Sequence, residues 1–339
     1  MAEKLSFPLI KNYVYDLFKI RLNNNAILKP LMFGYYITFK CNFNCSYCNY
    51  AIANIINNFN QELNTEEIFS LLKIIRKSCP NLYITGGEPL LRENIIEVLK
   101  ECKKLKFKMV SMISNMSLFH KNTEILDYLD NLSASLDMIE SKKYSKIVNT
   151  PENIIKKSIE NIIVCSKLQK EKNFTLTVNF VANNLTIPHA KDVLNFCLKN
   201  NIRFTIGPEI QNNGRVDEKI KNNLQYKELL KDVIKLRKSN KLILGSKLYH
   251  ETISDFILFR CYPLLTPRIY PDGNFLYPCE PFKKIGVNLL KMGSYEKALK
   301  KAINEAGPIP KCKDRCYMNC YVEPSNFLRY PFKTFRQYL

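Results

Sequence analysis

Three cysteines fall within eight residues, Cys41-Asn42-Phe43-Asn44-Cys45-Ser46-Tyr47-Cys48. Thiols at Cys-x3-Cys-x2-Cys can close on one metal cluster, and they leave a four-iron cube one protein ligand short, since such cubes are normally held by four cysteines. An iron with an open position can take a substrate or cofactor, and metal catalysis needs that vacancy. The preceding Gly34-Tyr35-Tyr36-Ile37-Thr38-Phe39 is aromatic and β-branched and reads as a buried strand. The thiols would then sit on the loop leaving the C-terminal end of that strand, where α/β folds place their chemistry. Zinc is the other metal to weigh, but it commonly takes four ligands, and no fourth Cys or His lies near this run.

From Gly34 to about Ser239 strand, loop and helix patterns alternate, which implies a parallel sheet with right-handed crossovers. Strands are predicted at Leu82–Thr85, Met109–Ile113, Asn131–Leu136, Phe174–Val181 and Ile202–Ile206. Asn64 with Glu67 reads as a capping box opening a helix. Thr150 is predicted to cap a helix with Pro151 at its first position. Further helices are expected at Ala190–Leu198 and Tyr226–Leu236. Cys79, Cys102, Cys165 and Cys197 fall at helical core spacing and read as small buried hydrophobes, not ligands.

The second strand ends in Tyr83-Ile84-Thr85-Gly86-Gly87-Glu88-Pro89. A three-cysteine loop after one strand and Gly-Gly-Glu-Pro after the next resembles the radical S-adenosylmethionine (radical SAM) superfamily. The resemblance implies a partial (β/α)6 barrel whose [4Fe–4S] cluster is held by Cys41, Cys45 and Cys48. Its open iron is chelated by the amino and carboxylate groups of SAM. Gly86, Gly87, Glu88 and Pro89 would receive the methionine ammonium, and Tyr47 would lie near the adenine. Ser114-Asn115-Met116 stands where the family often has Thr-Asn-Gly, so Asn115 is the matching residue and methionine at the glycine position implies a different turn. Ser135-Leu136-Asp137 is close to the family's Ser-Leu-Asp-Gly, with Ser135 and Asp137 facing the SAM ribose or carboxylate. Asn183, Asn184, Gly207, Pro208 and Gly214 follow the last two strands and read equally well as ordinary turn residues.

Beyond about residue 255 the pattern changes. Cys261 and Cys279 flank Pro271-Asp272-Gly273-Asn274, whose Asp-Gly between aromatic runs signals a hairpin. A helix from Gly293 to about Ala306 leads to Cys312-x3-Cys316-x3-Cys320. This set resembles the twitch or SPASM-type extension of radical SAM enzymes, and five cysteines fit the shorter, one-cluster form. The implied ligands of an auxiliary [4Fe–4S] cluster are Cys261, Cys279 and two of Cys312, Cys316 and Cys320. Four thiolates would suit structural zinc equally well on spacing alone. The expected organisation is thus an N-terminal amphipathic helical segment (1–30), a radical SAM partial barrel (31–250), and a small cysteine-rich β-hairpin and helix module with its tail (251–339).

With 339 residues and 46% hydrophobic content, the chain can bury a substantial core. No run of eighteen apolar residues is long enough to span a membrane, and the N-terminus lacks a signal-peptide pattern. A cytoplasmic protein is expected, with its twelve cysteines as ligands and buried thiols. The formal charge of +20 is spread along the chain and reads first as compositional. Apolar Ile10, Tyr13, Val14, Leu17 and Phe18 form a helical stripe, with Lys11, Lys19 and Arg21 off it. Such a helix ordinarily packs on its own domain, and a basic one can also touch an anionic membrane surface. The tail from Phe327 to Arg336 interleaves basic and aromatic residues and is expected to pack back over the C-terminal module, or to meet nucleic acid or a membrane.

The function implied is reductive cleavage of SAM to a 5'-deoxyadenosyl radical that takes hydrogen from a substrate. A flavodoxin- or ferredoxin-like electron donor would supply the electron. By analogy with enzymes bearing this extension, a peptide or protein substrate is expected, with a lipid, nucleotide or sugar as the alternative. The rival class is a non-catalytic iron–sulfur or zinc regulator that binds nucleic acid, and neither a helix-turn-helix nor a concentrated basic patch supports it.

Overall fold

The computed structural model describes residues 7–22, 27–310, 312 and 316–335, with residues 7–13, 21 and 335 as backbone only. Ile10, Tyr13, Lys11 and Arg21 of the N-terminal stripe and Arg336 of the tail therefore lie outside the described side chains. Among the described residues nine strands form one open sheet in the order β6-β5-β4-β3-β2-β1-β7-β8-β9. They are β1 (Phe33–Thr38), β2 (Asn81–Gly86), β3 (Met109–Ser114), β4 (Asn131–Ser135), β5 (Thr175–Ala182), β6 (Arg203–Pro208), β7 (Arg268–Ile269), β8 (Asn274–Tyr277) and β9 (Ile285–Asn288). The first six run parallel, as the alternating pattern requires. The α/β partial barrel expected from the sequence is borne out.

Register gives the sheet two unlike faces. Tyr35, Ile84, Met112, Leu132 and Leu176 are neighbours across β1 to β5 and are fully buried beneath the helices. One residue along each strand the side chains point the other way. There the rows read Gly34, Tyr83, Ser111, Asn131, Thr175 and, nearer the C-terminal ends, Ser135, Asn179, Thr205. The inner face of the barrel is thus lined mainly with hydroxyls, amides and a phenol, in contrast to the packed aliphatic interior of a closed barrel.

The C-terminal hairpin does not hang apart from the barrel. β7 pairs parallel with β1, and β8 and β9 continue antiparallel from it. Its turn follows the Asp-Gly signal, with Gly273 at φ 80°. Arg268 on β7 lies across Gly34, where any Cβ would collide with its side chain.

The capping box at Asn64 and Glu67 forms as expected, with both reciprocal hydrogen bonds present. Thr150 does not cap the next helix: the cap position is Pro151 and the helix is Glu152–Lys172. Thr150 Oγ1 instead donates to Val148 O at 2.9 Å, closing the turn ahead of the helix. Cys102, Cys165 and Cys197 lie in helices and Cys79 just past the end of Thr65–Ser78, and all four are buried in the core. The N-terminal helix Phe7–Leu22 packs Ile20, backed by Leu17, on Leu28, Tyr262, Leu265 and Leu328. Val14 and Phe18, two members of the expected stripe, face solvent. Leu328 carries part of the tail back onto the C-terminal region, while Tyr330 and Phe332 stay exposed. Among the described residues no helix is long and apolar enough to cross a membrane.

Candidate active site

The cysteine loop leaves β1 and lies flush on the end of β2. Gly87 N–H donates to Thr38 O and Glu88 N–H to Lys40 O, each at 2.8 Å. The two motifs, forty residues apart in sequence, are therefore hydrogen-bonded to one another. Glycine is required at both contact positions. Gly86 sits at φ 139° with Thr38 O where its Cβ would be, and a Cβ on Gly87 would strike Lys40 O and stand 3.1 Å from Cys41 Cβ.

Other elements fix the rest of the loop. Asn57 N–H donates to Phe39 O at 3.0 Å. Its side chain accepts from Cys41 N–H at 2.9 Å and donates to Cys41 O at 3.0 Å. Asn42 donates to Ser117 Oγ and accepts from Asn115 Nδ2, both at 2.9 Å, tying the loop to the end of β3. Asn44 and Ser46 N–H groups donate to Val148 and Ile147 carbonyls at 3.0 Å. Beneath the loop, Glu62 accepts from Thr38 Oγ1 (2.6 Å) and Phe39 N–H (2.9 Å) and pairs with Arg92 at 3.3 Å. Asn57, Glu62 and Arg92 carried no sequence signal, because each acts on a partner at least sixteen residues away.

Two expected SAM-site carboxylates are committed within the protein. Glu88 is fully buried; its side chain accepts from Leu90 N–H, Ser114 Oγ and Asn115 N–H. Burial pushes its carboxyl up to about 7, with these donors opposing the shift. Asp137 accepts Val181 N–H at 2.7 Å on one oxygen, and the Tyr47 phenol on the other, with Tyr144 at 3.5 Å. Its carboxyl is raised to about 6, chiefly by burial. Tyr47 thus bolts the cysteine loop to the end of β4. Ser135 remains on the inner face beside Asn179. Pro89 begins a short helical turn, Pro89–Leu91, that Glu88 caps. Asn183 closes its own turn by accepting Leu185 and Thr186 N–H groups, the ordinary role of such a residue.

Met116 occupies the position where the sequence implied a different turn. It keeps φ 65°, the left-handed conformation for which glycine is usual. Complete burial of its side chain and a 2.7 Å bond from Asn161 Nδ2 to its carbonyl offset the strain.

The thiols lie in two groups. Burial pushes Cys41 up to about 12, with Glu88 and then Cys48 adding to the rise, and Cys45 is also raised, by burial and then by Cys48 and Cys41. Cys261 is raised by burial and then by Cys316, Cys279, Cys312 and Cys320, each near enough to act on it electrostatically. Soft sulfur donors are the kind that suit an iron–sulfur cluster at either group, and Gly87 brings the end of β2 against Cys41. Among the described residues no three Cys, His, Asp or Glu side chains are gathered as for a single metal ion.

Between the two groups stands Glu280, next to Cys279. It accepts from the phenols of Tyr36, at 2.7 Å, and Tyr50. Tyr50 follows Cys48 by two residues, so this carboxylate joins both thiol groups. Arg268 Nε stands 3.9 Å from Glu280 and makes no hydrogen bond among the described residues. The guanidinium lies over the Tyr83 ring at 5.1 Å and the Tyr321 ring at 6.0 Å. It is a buried cation on the polar inner face, a feature that the sequence reading missed.

Residues 35–197 match the model of the Radical SAM superfamily. A probable GTP 3',8-cyclase of Methanococcus aeolicus is 31% identical over 204 residues, 58% of this chain and 64% of that protein. Another, from Methanocaldococcus jannaschii, is 30% identical over 165 residues, 48% and 53% of the two chains. The match thus spans between half and two thirds of these curated relatives. Among solved structures, Streptococcus suis SuiB bound to S-adenosylmethionine superposes with a TM-score of 0.60 at 19% identity, covering 83% of this chain and 68% of that one. The protein anSMEcpe with bound AdoMet gives 0.62 at 16% identity, covering 82% of each. These identities establish a shared fold.

Proposed function

Because this chain belongs to the radical SAM superfamily, we propose that it cleaves SAM reductively and takes hydrogen from a polar substrate bearing an anionic group. The observation that carries this reading is the cysteine loop seated on the Gly86–Gly87 strand end, at the mouth of a barrel whose inner face is polar. When bound, a [4Fe–4S] cluster on Cys41, Cys45 and Cys48 together with SAM would supply a 5'-deoxyadenosyl radical.

The chain's own residues do the positioning. Asn57, Asn115 and Asp137, the last through Tyr47, hold the three-thiol loop from separate elements, which would fix it ahead of any cofactor. Ser135, Asn179 and Thr205 offer hydrogen-bonding groups on the inner face near the strand ends. Lower on the same face, level with Gly34 and Tyr83, Arg268 supplies a buried positive charge whose Nε stands 3.9 Å from Glu280. A neutral apolar substrate would leave these groups desolvated and unpaired, which is costly. A nucleotide meets that requirement, and so does a peptide presenting a carboxylate, which narrows the peptide expected from the sequence to an acidic one. Four of the five C-terminal thiols, Cys261 and Cys279 with two of Cys312, Cys316 and Cys320, would hold an auxiliary cluster.

The test compares 5'-deoxyadenosine formation by the anaerobically reconstituted protein with nucleoside triphosphates, acidic peptides and basic peptides. Stimulation by one of the anionic classes, reduced at least tenfold in Arg268→Gln, is expected. Stimulation by basic peptides alone would contradict the anionic reading, and no cleavage under any condition would contradict the chemistry.

A further inference from the structure

The N-terminal helix buries one side and leaves an apolar stripe on the other. Asp16 and Ile20 are buried, whereas Val14, Phe18 and Leu22 are 43%, 64% and 87% exposed. Positions 14, 18 and 22 are four residues apart and share one face of the helix. Tyr15 continues the stripe, and Ile27 is exposed just beyond the helix. An ordinary surface helix turns polar residues outward, so this outer face is an exception.

Basic side chains flank it. A cleft of about 450 Å³ opens beside Tyr15 and is lined by Lys19, Lys29, Arg76, Lys77 and Lys108, against the carboxylate of Glu296. The Tyr15 ring carries Lys19 at 4.7 Å and Lys29 at 5.1 Å. Arg76 spends its Nε on Leu105 and Lys106 carbonyls and contributes charge alone. Lys29 leads into β1, Pro80 into β2 and Lys108 into β3. The cleft therefore lies at the N-terminal ends of the strands, opposite the cysteine loop.

We propose that this face docks on an anionic phospholipid surface, with Val14, Phe18 and Leu22 entering the interface and the lysines meeting headgroup phosphates. An apolar stripe beside a basic rim is the pattern that binds such surfaces. A second copy of the chain fits poorly, since each copy brings a formal charge of +20 and the same basic rim. Nucleic acid would match the lysines but leave Val14 and Leu22 without partners. The barrel mouth, at the opposite end, would face away from the bilayer, so docking sets location and leaves the substrate to arrive from the aqueous side.

The chain has no tryptophan, so Phe18→Trp gives a single fluorescent reporter at the centre of the stripe. With vesicles of phosphatidylcholine and phosphatidylglycerol, its emission should shift to the blue and the protein should co-sediment. Vesicles of phosphatidylcholine alone should give a much smaller effect. Leu22→Asp, and separately Lys29→Glu/Lys77→Glu/Lys108→Glu, should each lower the bound fraction at least tenfold. Iron content and thermal midpoint, unchanged in these surface variants, would show that they fold. No shift and no co-sedimentation with anionic vesicles would overturn the proposal. Equal binding by the folded variants, or a shift with RNA while vesicles stay silent, would overturn it too.

Discussion

The two cysteine groups are built in opposite ways. Cys41, Cys45 and Cys48 share one loop, and five separate elements immobilise that loop through backbone and side-chain bonds. Cys261, Cys279 and the Cys312-x3-Cys316-x3-Cys320 run come from separate stretches of sequence, drawn toward the barrel by the pairing of β7 with β1. The first group is a local device supported by the fold, whereas the second is a product of the fold. Damage to the first should therefore be confined to the loop, and damage to the second should spread through the hairpin.

The largest expected effect is at the cradle. Gly87→Ala puts a Cβ into Lys40 O and should remove both SAM cleavage and the iron held at the loop, while C-terminal iron remains. Iron analysis with a 5'-deoxyadenosine assay checks this; unchanged iron would mean that the close approach is dispensable. Next come the C-terminal thiols taken singly. Cys261 is acted on electrostatically by all four others, and Cys261→Ser should cost about four irons per chain. Cys320, whose thiol the Arg268 cation opposes in charge, is the predicted spare, so Cys320→Ser should keep them. The reverse outcome would exchange their roles.

Glu280→Ala tests the link between the groups. It strands the Tyr36 and Tyr50 phenols and the Arg268 cation, and should cost on the order of 3 kcal/mol in urea unfolding. A cost near zero would separate the two regions energetically.

The smallest effect lies away from both groups. Both oxygens of buried Asp16 accept Lys29 N–H, at 3.1 Å, and its carboxyl is raised to about 7, mainly by burial. The unfolded carboxyl titrates near 3.8. The folded state therefore holds the proton more tightly, and this group's stabilisation is full below about pH 4 and lost as pH rises to about 7. Asp16→Asn should flatten that slope and raise the thermal midpoint at pH 8. A variant with the wild-type slope would remove Asp16 from the account.

Local patterns made most of the fold legible. The strand expected at Met109–Ile113 spans Met109–Ser114, and both Gly-Gly-Glu-Pro and the cysteine loop stand at strand ends. Legibility failed where the cause is remote. Arg268 reads in sequence as one more basic residue, and only its pairing across Gly34 makes it a buried cation of the inner face. Glu280 looks like a surface carboxylate beside a thiol until Tyr36, 244 residues away, donates to it. Thr150 failed for a local reason: its hydroxyl turned back to Val148 before the helix began.

The central claim is most directly tested by iron and sulfide content after anaerobic reconstitution, paired with 5'-deoxyadenosine formation under dithionite. Wild type is compared with Cys41→Ala/Cys45→Ala/Cys48→Ala. About eight irons in wild type and about four in the variant, with cleavage only in wild type, is the predicted result. Equal iron in both proteins, or SAM cleavage that survives the triple substitution, would contradict it.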